Sequence, residues 1–194
     1  EWMALHLVAL NVKTGKLVWE ENMEFEQRTP VFFSTYKEDT LMLLRSSTKS
    51  FDLRAIDAKS GKPMWDREHG WENDNHGAHR RHPVIIGDVV YQQPRAYDLK
   101  TGEEKWSTSK VGVGGNCGTL SASSSMLFSR LSNYPGFIDL GQEMNKENLV
   151  EITRPGCWIN IIPVGGMVLV PEAGSGCSCE YSIHASMGFL PRKN

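Results

Sequence analysis

One short pattern returns three times along this chain, and a returning unit restricts the fold more than any single motif does. Residues 7–19 read Leu-Val-Ala-Leu-Asn-Val-Lys-Thr-Gly-Lys-Leu-Val-Trp. Residues 53–65 read Leu-Arg-Ala-Ile-Asp-Ala-Lys-Ser-Gly-Lys-Pro-Met-Trp, and residues 95–106 read Arg-Ala-Tyr-Asp-Leu-Lys-Thr-Gly-Glu-Glu-Lys-Trp. The glycines stand at 15, 61 and 102, spaced by 46 and then 41 residues, and Trp19, Trp65 and Trp106 keep step.

The physics of the unit is that of a hairpin. An alternating strand ends in Asn or Asp, whose side chain bonds the backbone of the following residues. Lys-Thr/Ser-Gly then turns the chain, with Gly free to take positive φ. A second strand follows and ends in Trp, a large group suited to packing between neighbouring sheets. Two further strands precede the second unit (31–34 and 40–45) and two precede the third (83–86 and 89–92), the latter pair joined by Gly87-Asp88. Four antiparallel strands in every forty-odd residues predict a β-propeller blade. The apolar spacing of three and four that a helical repeat needs is missing.

Later segments keep the period while losing the motif. Residues 119–123, 126–130 and 136–140 predict three strands of another blade, with 143–147 a solvated connection or single helical turn. Residues 158–163 and 167–171 open a further blade, and 181–190 supply its third strand. The approximate units are 1–25, 26–70, 71–112, 113–153 and 154–194 of one propeller, all-β and built of four-stranded antiparallel blades. Four to five blades are present. The chain opens at Glu1 in mid-blade, which points to a piece of a larger propeller; the other arrangement has the N-terminal hairpin complete the last blade and close a four-bladed ring.

Composition narrows the function. With 194 residues and 40% hydrophobic content the chain can bury a core. Its 21 basic and 23 acidic residues give a net charge of −2, which excludes the bulk basic footprint of a nucleic-acid binder. No apolar run reaches transmembrane length. Gly112-Val-Gly-Gly115 is no phosphate loop, because no Lys-Ser/Thr follows it. There is no Gly-x-Ser-x-Gly elbow.

The Asp/Asn-x-x-Thr/Ser-Gly-x-x-x-Trp unit resembles the quinoprotein-like repeat of pyrroloquinoline-quinone (PQQ) β-propellers, found in quinoprotein alcohol dehydrogenases and in outer-membrane assembly lipoproteins. Further segments are similar to PQQ-like propeller proteins of planctomycete-type bacteria: His76-Gly-Ala-His79-Arg-Arg-His82-Pro83, Asn116-Cys117-Gly118-Thr119, Arg154-Pro-Gly-Cys157-Trp158 and Pro171-Glu172-Ala-Gly-Ser-Gly-Cys177-Ser-Cys179. The resemblance implies a propeller and an extracytoplasmic setting, periplasmic, cell-surface or secreted. It does not carry PQQ as a cofactor, because quinone-binding relatives use adjacent cysteines and here the nearest pair is Cys177-x-Cys179.

Blade phase predicts where the chemistry-bearing residues gather. The loop into an innermost strand and the turn between second and third strands open on one face, the face where propeller loops commonly bind ligands. His76, His79 and His82 precede one innermost strand, Cys117 the next and Cys157 the one after. Cys177 and Cys179 follow a second strand; Asn160 alternates with apolar residues as in an innermost strand lining a channel, and Glu172 ends the next strand. The four cysteines suit two disulfides in an extracytoplasmic protein. They also suit, with His76 and His79, a thiolate–imidazole metal site. His76, His79, Arg81 and Tyr91 carry the chemistry for a base and a cation acting on an acidic sugar. Three functions follow: a binding or scaffold propeller presenting this face (His76, His79, His82, Asn160, Glu172) to a protein or glycan; an enzyme, either a quinoprotein-like oxidoreductase or a polysaccharide lyase; and a His/Cys metal-binding module.

Overall fold

A computed structural model describes residues 2–29, 31–47, 50–70, 81–93, 95–107, 118–131, 134–141, 145–156, 161–172, 183 and 185–192. Every regular element among them is a strand. The first sheet is a long hairpin, β1 (Trp2–Leu10) and β2 (Leu17–Thr29). Three four-stranded sheets follow: β3 (Val31–Lys37), β4 (Thr40–Ser46), β5 (Ser50–Asp57) and β6 (Pro63–Gly70); β7 (Val84–Ile86), β8 (Val89–Gln92), β9 (Arg95–Asp98) and β10 (Glu104–Ser107); then β11 (Ser121–Ala122), β12 (Met126–Leu131), β13 (Tyr134–Asp139) and β14 (Asn145–Asn148). The last sheet holds β15 (Ile162–Val164), β16 (Met167–Val170) and β17 (Met187–Phe189). Each sheet pairs its strands in chain order and antiparallel, which is the propeller blade expected from the repeat. We number the blades one to five in this order.

The shared turn is built as its residues dictate. Asn11 Oδ1 accepts from the amides of Lys13 and Thr14, both at 3.0 Å. Asp57 Oδ1 accepts from Ser60 N at 2.8 Å, and Asp98 Oδ1 from Thr101 N at 2.9 Å. The amide of Gly15, Gly61 or Gly102 closes each turn on the Asn or Asp carbonyl at 2.8–2.9 Å. In the two aspartate turns the side-chain bonds favour the ionised carboxylate. The Ser60 hydroxyl holds the Asp57 carboxyl below the usual carboxylate range, and the Thr101 amide does the same for Asp98.

The tryptophans join one blade to the next. Trp19 Nε1 in blade one donates to Ala58 O of blade two at 2.8 Å, and Trp65 Nε1 in blade two donates to Leu99 O of blade three at 3.0 Å. Each indole lies flat over the glycine of the neighbouring turn. A Cβ on Gly61 would stand 2.7 Å from the Trp19 ring, and one on Gly102 would stand 2.6 Å from the Trp65 ring. Both glycines also have positive φ, +73° and +68°, so two separate constraints require glycine there. Gly15 has the same φ, +68°, but open space above it, and neighbouring Val12 is 96% exposed. Trp106 breaks the series: among the described residues its indole nitrogen meets no carbonyl, and its ring packs on Tyr91 at 5.6 Å.

The core lies between blades. Met42, Leu44, Phe51, Leu53, Ala55 and Trp65 of blade two pack on Val90, Tyr97 and Leu99 of blade three. A second cluster joins Tyr91 and Ala96 to Leu120, Leu127 and Ile138, and a third joins Phe128 to Ile161 and Val170. Polar ties follow the same seams: Lys100 Nζ reaches Glu38 O at 2.5 Å and Thr40 Oγ1 at 2.7 Å, and Arg67 Nε reaches Gly102 O at 2.8 Å.

Two details differ from the sequence reading. The segment expected as a solvated connection or helical turn is in part β14, the fourth strand of blade four, paired with β13 from Gly136↔Asn148 to Asp139↔Asn145. Its side chains are mostly exposed, so backbone pairing alone makes the strand and no apolar alternation marks it. The expected strand at 119–123 is regular only at Ser121–Ala122. Among the described residues β1 pairs only with β2, and β17 only with β16. By the turn motif β1 and β2 are third and fourth strands, whereas blade five already holds its first three.

Candidate functional site

Antiparallel blades put their connections at two ends. The turns with Gly15, Gly61 and Gly102, together with the β3–β4, β7–β8, β11–β12 and β15–β16 turns, lie at one end. The segments entering β7, β11 and β15, and the β4–β5, β8–β9 and β12–β13 turns, lie at the other, the loop face. The innermost strands β3, β7 and β11 border an open cleft of about 480 Å³ lined by Phe33, Ser34, Thr35, His82, Pro83, Val84, Ile85 and Ala122. That volume lies in the range of small-ligand sites.

The sequence-derived candidates distribute as follows. His82 reaches this cleft from the loop side, half-buried, its ring edge-to-face with Phe33 at 5.5 Å. Arg81, beside it, is buried, and its carbonyl accepts from Gln92 Nε2 at 3.3 Å. Tyr91 is not among the cleft residues; it is buried between blades three and four against Trp106, and burial raises its pKa. Glu172 follows β16, and its amide meets Ser186 Oγ at 3.0 Å. His76, His79, Cys117, Cys157, Asn160, Cys177 and Cys179 lie outside the described residues. Among the described residues no group of three or more His, Cys, Asp or Glu could hold a metal ion.

Other residues at this end were not singled out by their sequence. Arg130, near the end of β12, and Arg154, ahead of β15, are buried like Arg81, which places buried cations on the loop side of three consecutive blades. A guanidinium stays ionised at such depth and has to be partnered. Gly118 lies against Arg130, its Cβ position 3.7 Å from the Arg130 stem. His69, at the loop end of β6, is 5% exposed. Its ring sits 5.5 Å from Phe51 of its own blade and 6.0 Å from Tyr97 of the next. Nδ1 lies 3.2 Å from Gly70 O, and Nε2 is buried with no hydrogen-bond partner among the described residues. Strand alternation explains its position, since Trp65 and His69 are the two buried side chains of β6.

Burial pulls the His69 pKa down to about 4, against small opposing effects from the Gly70 carbonyl, Glu104 and Glu68; nearby Arg95 lowers it further. The same burial pushes Tyr97 up to about 12. The unfolded chain therefore takes up a proton at His69 near pH 6.5 and the folded chain only near 4. Stability from this site is complete above 6.5 and is lost as pH falls towards 4, by about 3 kcal/mol in all. Urea midpoints measured across that window should fall with pH, and His69→Phe should flatten the fall. Equal slopes in both proteins would rule His69 out as the cause. The turn carboxylates Asp57 and Asp98 titrate below 3.8 and do not blur the window.

The sheets, their antiparallel order and the latched turns define a β-propeller of quinoprotein-like blades. A family profile described as outer membrane protein assembly factor BamB matches residues 4–133, more than half of the chain, and the chain belongs to that PQQ-like family. Among solved structures, BamB from Moraxella catarrhalis superposes with a TM-score of 0.56 at 15% identity, covering 84% of this chain and 51% of that one. The chain thus spans about half the length of that relative. The WD40 domain of SCAP from fission yeast gives 0.41 at 16% identity, covering 85% of this chain and 43% of that one. A europium-containing methanol dehydrogenase gives 0.34 at 17%, covering 52% and 20%. No curated protein matches the sequence.

Proposed function

We propose that this chain is an extracytoplasmic binding or scaffold module whose loop face, around the mouth of this cleft, receives a protein or glycan partner. The observation that carries the reading is the cleft itself: innermost strands of three blades border about 480 Å³, with His82 at its loop end. The family description, an outer-membrane assembly factor, supports a partner-binding role and a setting outside the cytoplasm. Arg81, Arg130 and Arg154 are buried at the same end.

Oligogalacturonate and a neutral glucan oligomer, titrated separately by calorimetry, test this reading. The acidic oligomer should bind more tightly, without turnover, and His82→Ala should weaken it by about tenfold. No binding by either oligomer would overturn the glycan reading and leave a protein as the partner, and release of unsaturated uronate would overturn the non-catalytic module and mark a lyase. Elemental analysis with thiol titration on the same sample tests the metal reading, since stoichiometric zinc or copper would make the cysteine segments a metal centre.

A further inference from the structure

At the opposite end of the molecule, the seam between blades four and five has, among the described residues, no counterpart of the ring that fills the seam between blades two and three. Strand register makes the comparison residue by residue. Met42 pairs with Ala55 and Ala55 with Trp65; in blade four Phe128 pairs with Phe137 and Phe137 with Glu147. Glu147 therefore holds the place of Trp65. Across the seam Val90 pairs with Tyr97, and Val168 with Phe189, so Pro191 stands where Leu99 does. Trp65 shares one core cluster with Met42, Ala55, Val90, Tyr97 and Leu99. Their counterparts Phe128, Phe137, Val168, Phe189 and Pro191 instead line a cavity of about 510 Å³. Glu147 does not fill it: the side chain is exposed and its carboxylate accepts from Asn145 Nδ2 at 2.8 Å.

We propose that this groove is a vacant tryptophan socket that takes the indole of a Trp on a partner polypeptide. It repeats the apolar walls of the seam that Trp65 fills, while the register position of Gly102 falls on Asn194, outside the described residues. Among the lining residues only Ser123 and Ser125 carry polar side chains, and none is charged. The ammonium and carboxylate of free tryptophan would go unpaired there, whereas a Trp within a peptide brings no such charges. The Pro191 carbonyl occupies the register position of the Leu99 acceptor. Leu190 on the rim is 71% exposed, and Val164 and Met167 are exposed beside it, an apolar surface of the kind that marks interaction sites.

N-acetyl-L-tryptophanamide is the probe, titrated into the whole chain and followed by amide NMR shifts. Shifts should concentrate at Gly165, Gly166, Met167 and Leu190, with a Kd on the order of 1 mM. Free tryptophan and N-acetyl-leucinamide should bind about tenfold more weakly. Glu147→Trp should supply the indole from β14, raise the melting temperature and abolish probe binding. Leu190→Glu, at an exposed site with little part in folding, should weaken the probe about tenfold without changing the melting temperature. Absent or scattered shifts, equal binding of free tryptophan, or full binding by either variant would each overturn the socket.

Discussion

Trp65→Ala is expected to destabilise the chain by about 4 kcal/mol, which for a chain of this size lowers the melting temperature by roughly 10 °C. Trp65 is 7% exposed, fills the seam between blades two and three, and makes the indole bond to Leu99 O. Removing it leaves a cavity bounded by Met42, Ala55, Val90 and Tyr97 and an unpaired carbonyl. Trp19→Ala serves as the comparison. Trp19 makes the same bond to Ala58 O but is only half-buried, so about 2 kcal/mol is expected. Urea denaturation of the three proteins measures the difference. Equal losses would mean that burial of the ring does not set the effect.

The second large effect is at the other half of the latch. Gly102→Ala puts a Cβ 2.6 Å from the Trp65 ring on a backbone with φ of +68°. The left-handed conformation alone costs an alanine about 1 kcal/mol, and the overlap adds about 2 kcal/mol more as the indole is forced off its seat. Gly15→Ala isolates the first contribution, because that glycine has the same φ and nothing within 4 Å of the added carbon. A loss near 3 kcal/mol at Gly102 against about 1 kcal/mol at Gly15 is expected in chemical denaturation.

Much of the fold was legible because its determinants are local. Asn11, Asp57 and Asp98 bond the amides that follow them, and the glycine closes each turn, so sequence and geometry coincide within a few residues. The latch was only half legible. The returning Trp and Gly suggest packing between sheets, but the ring of Trp19 covers Gly61 of the next blade and not Gly15 of its own, a relation fixed by how blades stack. β14 escaped notice because an edge strand held by backbone bonds needs no apolar alternation.

The site was less legible, for the same reason. His82 meets Phe33 and Ala122 only because three blades bring their innermost strands together. Tyr91 and His82 are near in sequence, yet Tyr91 lies on β8 and packs into the seam with Trp106, while His82 precedes β7 and lines the cleft. His69 looks in the sequence like one more polar residue among Glu68 and Arg67, and only its register with Trp65 marks it as buried. The tryptophan socket shows itself through a substitution, Glu147 where the register calls for Trp, that becomes visible only once the pairing with Phe137 is known.

The central claim is that an indole seated on the next blade's glycine joins one blade to another. A double-mutant cycle between Trp65 and Gly102 tests it most directly. With Trp65→Ala already in place, Gly102→Ala should cost only its backbone strain, about 1 kcal/mol, so the two changes together should fall short of their sum by about 2 kcal/mol. Additive losses would contradict the claim, because the glycine would then be serving its own turn and not the ring above it.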